Sequence, residues 1–166
     1  LIRLCQQCGT PFTFRAAGSS LSGQCSSEDV LIVCNDGFKK MEVIDDGKAL
    51  KCECGVIGSD ANDLLKPYNR KIGPDPATLA TALVGGILNN NSSGMCCGTA
   101  QNSYKTIRSI RVVLLDGSIL DTSDKKSIDQ FLKEKPQMVE DILQLRKDIL
   151  ADEELTHLIH HKYKIK

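Results

Sequence analysis

The sequence has no net charge: Lys plus Arg number 21 and Asp plus Glu number 21. A balanced chain lacks the electrostatic footprint that nucleic acid or an anionic membrane requires. It has no apolar run long enough to cross a bilayer. Its start, Leu1-Ile2-Arg3-Leu4, lacks the basic and apolar regions of a signal peptide and lacks an initiator Met. The expectation is therefore a chain cut from a longer, cytoplasmic protein. There is no internal repeat and no low-complexity segment. G-x-G-x-x-G and the Lys-bearing P-loop are also missing, so the two common phosphate-binding signatures are excluded. Histidine is scarce, with only His157, His160 and His161, all near the C-terminal end. They read as solvent-facing or interface residues rather than metal ligands.

Cysteine is not scarce. Eight are present: Cys5 and Cys8, Cys52 and Cys54, the adjacent Cys96 and Cys97, and the single Cys25 and Cys34. Cys5-Gln6-Gln7-Cys8 has redox or zinc spacing on paper, but it sits in an apolar, helix-like stretch with no second pair at a zinc-binding distance. The reading adopted is reduced thiols used as small apolar residues, with no metal site. A thiol- or metal-based redox protein is the outlying alternative.

Of the 166 residues, 41% are apolar and 25% charged, the balance of a chain with an ordinary globular core. Leu1 to Cys8 reads as a helix end closed by Gly9. Phe12-Thr13-Phe14 reads as a short strand. Val30 to Cys34, a continuous apolar run, reads as a strand buried on both faces. Met41 to Asp45 and Ala49 to Cys54 are strands around the turn Asp45-Asp46-Gly47. Ser59 is placed as the cap of a helix from about Asp60 to Lys66, stopped by Pro67. Thr78 to Leu83 reads as a helical turn. Ile107 to Leu115 reads as a long strand entering a hairpin at Asp116-Gly117-Ser118. From Ser127 the pattern is helical, with Pro136 at a first helical position. Met138, Ile142, Leu145 and Ile149 form an apolar stripe, read as core packing. The element order argues an α+β fold.

Two stretches carry chemistry. Arg15-Ala16-Ala17-Gly18-Ser19-Ser20-Leu21-Ser22-Gly23-Gln24 follows a strand and is almost free of bulk. Small residues let backbone approach a ligand, and successive N–H groups can make an anion-binding concavity. Arg15 adds charge there or packs at the strand end. By composition alone the segment is also that of a flexible surface loop. The second stretch runs from Ile72 to Thr99. Prolines freeze the backbone on both sides of Asp75, Gly85-Gly86 permits close approach, and Gly85-Gly86 with Asn89 to Gly94 reads as an irregular stretch rich in donors and acceptors. Buried polar groups there need partners, which an acceptor-rich ligand or the loop itself would supply.

Taken together, these stretches are recognisable. "RAAGSSLSG" resembles the "RGxGTSLSG" loop of the vanillyl-alcohol oxidase / p-cresol methylhydroxylase (PCMH-type) flavoprotein superfamily. "PDPAT" with the Gly85-Gly86 and "NNNSSG" segments resembles that superfamily's second stretch, and "VVLLDGSILDT" resembles the hairpin that follows. "NNSSGMCCGTAQNSY" is similar to the branch of FAD-linked D-2-hydroxyacid dehydrogenases called D-lactate dehydrogenase-like. "HKYKIK" resembles the point where that branch passes into its substrate domain.

The resemblance implies a PCMH-type fold of two α/β lobes with FAD between them. It places the FAD-binding domain at residues 1–125, with a first lobe to about residue 55, and a helical continuation at 126–166 leading toward a substrate domain outside this chain. Arg15 to Gln24 would hold the pyrophosphate. Pro74, Asp75, Ala77 and Thr78 would lie along the ribityl and flavin side. Gly85, Gly86, Asn89, Ser92, Ser93 and Gly94 would line the rest of the path, and the strand from Ile107 would run near the adenine. The implied reaction is oxidation of a D-2-hydroxy acid to the 2-oxo acid. No catalytic residue is assigned, because the base and the carboxylate-binding Arg residues come mostly from the substrate domain; this stretch alone is expected to be inactive. A non-catalytic flavin-binding or assembly module of the same fold is the alternative. Relatives that attach flavin covalently use a His, and none stands near either loop, so FAD is expected to be non-covalent. An electron-transfer partner, self-association through a partly exposed cleft, and a peripheral place at the inner membrane for the full-length protein complete the expectations. Ala16 and Ser19 stand where Gly and Thr are usual. The Ala16 methyl would be harmful if its φ were positive.

Overall fold

The computed structural model describes residues 1–34 and 36–162. They divide into two compact units, Leu1–Arg108 and the residues from Ser109 onward. Of the "HKYKIK" segment, residues 163–166 lie outside the described residues.

The first unit opens with α1 (Ile2–Gln7), closed by Gly9 at φ +61°. Strand β1 (Phe12–Arg15) then pairs in parallel with β2 (Val30–Val33), Phe12 opposite Val30. Parallel strands need a crossover, usually a helix. Here the crossover is the small-residue loop itself. Among the described residues the β1–β2 sheet has two strands. That corrects the expectation for β2: with no further described strand beside it, Val30 stays 37% exposed and Val33 50% exposed.

β3 (Met41–Ile44) and β4 (Ala49–Cys52) form an antiparallel hairpin with Ile44 opposite Ala49. Its turn places Asp45, Asp46 and Gly47 in the left-handed region. Next comes α2 (Gly58–Leu65). Its cap is Ile57, not Ser59, which lies inside the first turn and makes no capping hydrogen bond. A side-chain cap is unnecessary because neighbouring chain satisfies the first-turn donors: Gly58 N–H bonds to the Ala82 carbonyl and Ser59 N–H to the Leu79 carbonyl, each at 3.0 Å. Pro67 falls in a 3-10 turn, Lys66–Tyr68, which ends at Asn69 in the left-handed region.

Residues 77–81 form turns, with Ala82 N–H bonded to the Thr78 carbonyl at 2.7 Å, and Leu83 bridges to Ile57. Helix α3 (Val84–Asn89) follows, and α4 (Ser103–Thr106) is capped by the Asn102 side chain accepting from Lys105 N–H. Val56, Ala61, Leu65, Leu83 and Ile87 make the core of this unit. Burial of each larger aliphatic side chain stabilises the fold by roughly 1.5–3 kcal/mol. Gly58 lets α2 settle on that core, since a methyl there would stand 2.5 Å from Leu79 Cδ1 and 3.1 Å from Ile87 Cδ1.

The second unit begins with a short hairpin, β5 (Arg111–Val113) against β6 (Ile119–Asp121). The expected long strand from Ile107 is thus cut to three residues. Its first residues lead out of α4, and the partner strand ends at Asp121, where the Asp121 carboxylate accepts from Ser123 N–H and turns the chain. Helices α5 (Lys125–Glu134), α6 (Pro136–Ala151) and α7 (Glu153–Lys162) complete the unit. Pro136 stands in the first turn of α6, as expected. Lys135 pairs with Asp116 and holds its carboxyl well below the usual carboxylate range, with help from Ser118. The apolar stripe of α6 does not pack into a core: Met138 is 40%, Ile142 56% and Leu145 60% exposed. No helix among the described residues is long and apolar enough to cross a membrane.

Candidate functional site

The small-residue loop leaves the carboxyl end of β1, which is where α/β folds present ligand-binding loops. Gly18 and Gly23 take φ of +71° and +77°, conformations that glycine adopts without strain. Among the described residues, the N–H groups of Gly18, Ser19, Ser20 and Leu21 have no acceptor. Four successive N–H groups without an acceptor on an exposed loop are available to an anion. Arg15 adds charge at the same place. Its guanidinium lies over Gly18, where a methyl would come within 2.5 Å of Nε and Nη2. Ala16 is not among the residues of positive φ, so its methyl is carried without backbone strain. Ala17 and Ser19 to Gln24 are exposed, and Leu21 stands fully in solvent.

The second stretch is more regular than its composition suggested. Gly85, Gly86 and Asn89 lie in α3, not in an irregular loop. The helix forms because its start is held by chain on the far side: Val84 N–H bonds to the Val56 carbonyl at 2.7 Å and Gly85 N–H to the Cys54 carbonyl at 2.9 Å. Gly85 is required there, since a methyl would stand 2.7 Å from Cys54 Cβ. Gly86 faces the other way. A methyl on it would lie 3.2 Å from the Ala16 methyl. The structure thus brings the two stretches together at Ala16 and Gly86.

Pro74 is buried, while Ala77 and Thr78 are exposed. Asp75 is engaged inside the protein. Its Oδ1 accepts the Cys97 N–H at 3.0 Å and its Oδ2 accepts the Cys96 N–H at 3.2 Å. The Cys97 thiol and N–H, then those of Cys96, outweigh partial desolvation and hold the Asp75 carboxyl at about 2. Gly94 packs directly against Asp75, leaving no room for a side chain. Asp75 therefore ties the proline-framed loop to the Gly94–Gly98 turn rather than presenting a free carboxylate.

The polar run between them is largely self-satisfied. Ser92 N–H bonds to the Ile87 carbonyl and Asn91 Oδ1 accepts from Tyr104 N–H. Buried Ser103, which the sequence reading passed over, donates to the Ile87 carbonyl at 2.9 Å. Asn102 beside it is buried and caps α4; an Asn before a short polar helical run is the signal that would have found it. No buried side-chain donor or acceptor among the described residues lacks a partner. Ser93 is exposed and Gly94 half-buried.

The thiols take a different part. All eight cysteines are free. Burial, and secondarily the charge of Cys54, push the Cys34 and Cys52 thiols up, away from the reactive thiolate form. Among the described residues no three His, Cys, Asp or Glu side chains converge as a metal site. The histidines are exposed on α7, where the His157 and His161 rings stack at 6.1 Å.

Comparison with known proteins bears on this geometry. The FAD binding domain family matches residues 1–123. A D-2-hydroxyglutarate dehydrogenase of Haemophilus influenzae is 27% identical over 119 residues, which are 71% of this chain and 12% of that protein. The same enzyme of Escherichia coli is 29% identical over 112 residues, 67% of this chain and 11% of that protein. A D-lactate dehydrogenase of Archaeoglobus fulgidus is 26% identical over 129 residues, 75% of this chain and 28% of that protein. The chain thus spans about an eighth of the length of the first two relatives. Among solved structures, alkyldihydroxyacetonephosphate synthase superposes with a TM-score of 0.62 at 18% identity, over 76% of this chain and 25% of the other. The 6-hydroxy-D-nicotine oxidase of Arthrobacter nicotinovorans does so with 0.61 at 14%, over 72% and 26%.

Proposed function

This chain belongs to the FAD binding domain family, and from that premise we propose that it is the flavin-holding part of an oxidoreductase acting on a D-2-hydroxy acid such as D-2-hydroxyglutarate or D-lactate. FAD is the cofactor of the domain. The residues present fit it. A dinucleotide carries a doubly charged pyrophosphate, and the loop after β1 offers four successive free N–H groups with a guanidinium beside them. That observation carries the reading.

The N–H groups of Gly18, Ser19, Ser20 and Leu21 would hold the pyrophosphate, with Arg15 balancing its charge. Ser22, Gly23 and Gln24 would continue that wall, with Ala16 and Ala17 at its strand end. Gly86 keeps α3 close to Ala16, so Gly85, Gly86 and Asn89 would border the same ligand. Pro74, Ala77 and Thr78 would lie along the ribityl and flavin side, on a loop that Asp75 anchors to the Gly94–Gly98 turn, and Ser92, Ser93 and Gly94 would line the rest of the path. FAD, when bound, supplies a hydride acceptor at its N5. The role of this chain is to bind the dinucleotide and fix its orientation; the substrate base is assigned to no residue here.

The substrate class rests on the dehydrogenases that the chain resembles. Non-covalent attachment rests on the distribution of histidine, with His157, His160 and His161 all after residue 150. An electron-transfer partner would then reoxidise the flavin. The test is dye-linked oxidation by the full-length protein of D- and L-lactate and of D- and L-2-hydroxyglutarate. Turnover of a D-acid with release of a 2-oxo acid supports the reading; reaction confined to other substrates refutes the substrate class and leaves the flavin site standing.

A further inference from the structure

Helix α6 carries an apolar face that stays exposed in the described chain except at Ile149, which is half-buried, and its charges point to an occupant. Met138, Ile142, Leu145 and Ile149 recur at spacings of four, three and four, the a/d rhythm of a coiled-coil seam, with Val139, Leu143 and Leu150 widening the face on one side. Met138 is 40%, Ile142 56% and Leu145 60% exposed, and no residue of α6 is buried. With Ile142 and Ile149 at a and Leu145 at d, Asp141 falls at g and Arg146 at e. In a parallel pair the g residue of one helix faces the e residue five positions on in its partner. Asp141 of one copy would face Arg146 of the other, and symmetry makes the contact twice. An antiparallel pair sets acid against acid and base against base. Arg146 has no ion pair among the described residues. Asp141 accepts from Gln137 of its own helix through Oδ1, at 2.8 Å, which leaves Oδ2 for a partner.

We propose that α6 is a docking surface for a second copy of this chain, joined in a parallel, in-register helix pair along Met138, Ile142, Leu145 and Ile149 with reciprocal Asp141–Arg146 contacts. The reading is independent of the flavin site. At 16 residues the helix is about 24 Å long, two heptads. The interface is therefore smaller than the roughly 1,200 Å² of standard complexes, and the dimer is weak and concentration-dependent.

Sedimentation equilibrium of the 166-residue chain across the micromolar range tests this. The weight-average mass should rise from 18.1 kDa toward twice that value. Leu145→Glu should hold the chain monomeric at every concentration while leaving helical circular dichroism and FAD titration unchanged, because the residue is exposed and lies in neither flavin loop. Asp141→Arg and Arg146→Asp should each weaken the dimer roughly ten-fold, by replacing two attractions with two repulsions. The double variant Asp141→Arg/Arg146→Asp should recover the original affinity within about two-fold. A chain monomeric throughout overturns the proposal. So does a dimer that the single reversals leave unchanged or tighten, since the contact would then be antiparallel or elsewhere.

Discussion

Asp75 and Cys97 join the two ends of the second polar stretch: the Asp75 carboxylate accepts the Cys97 N–H at 3.0 Å while its other oxygen takes the Cys96 N–H. The pair is separated by 22 residues, so the bond closes a long loop whose middle is α3. It ties the loop before α3 to the turn after it, while the Val56 and Cys54 carbonyls hold the start of α3 itself.

The charge of that carboxylate sets a pH dependence. Its folded value, about 2, lies below the ordinary value near 3.9. A depressed carboxyl contributes stability that is fully present above its unfolded value and is lost as pH falls through the folded one. Asp75→Asn keeps one acceptor and loses the other. Its melting temperature should lie below that of the parent at pH 7, and the difference should shrink between about pH 4 and pH 2. A gap that persists unchanged at pH 2 would show that the charge is not what holds the loop.

Gly86 separates fold from cofactor. Alanine in a helix interior gains up to about 1 kcal/mol over glycine, but its methyl would press on Ala16 at 3.2 Å. Gly86→Ala should therefore hold or raise the melting temperature of the cofactor-free chain while weakening FAD roughly three-fold, and Gly86→Val should weaken it ten-fold or more, about 1.4 kcal/mol. Equal affinity in all three proteins would remove Gly86 from the site.

Arg15 acts by charge. Arg15→Gln should weaken FAD by roughly five- to ten-fold at low salt and less at high salt, because screening already removes part of the attraction there. Titrations at two ionic strengths measure it. A salt-independent loss would mean that the side chain serves as packing over Gly18 instead.

Ala16→Gly tests the departure from the superfamily's loop. Since Ala16 does not need a positive φ, glycine should change FAD affinity by less than about two-fold, and its greater unfolded-state freedom should lower the melting temperature slightly. A large gain in affinity would show that the methyl obstructs the ligand.

What the sequence displayed, and what it hid, divides by range. Local chemistry was legible: Gly9 closing α1, the Asp45-Asp46-Gly47 turn, Pro136 in the first turn of α6, and the small-residue loop after β1. Features decided by distant chain were not. Ser59 looked like a cap because it precedes a helical pattern, yet the carbonyls of Leu79 and Ala82 had already taken the donors. Gly85 and Gly86 looked like loop because glycine disfavours helix, yet the Val56 and Cys54 carbonyls hold the helix start and Cys54 leaves room only for glycine at position 85. Val30 to Cys34 looked doubly buried because it is wholly apolar, yet among the described residues only one strand lies beside it. Asp75 looked like a ligand group because prolines frame it, and its partners, two backbone N–H groups 21 and 22 residues away, carry no side-chain signature. The meeting of Ala16 with Gly86 is likewise a product of the fold that neither stretch announces.

The central claim is that the loop after β1 is a cradle for the FAD pyrophosphate. Titrating the purified chain with FAD, while following flavin fluorescence and thermal unfolding, tests it most directly. Saturable binding that raises the melting temperature, and that Arg15→Gln weakens, is the predicted result. A well-folded chain that neither quenches nor enhances flavin fluorescence, and whose melting temperature does not move with FAD, would contradict it.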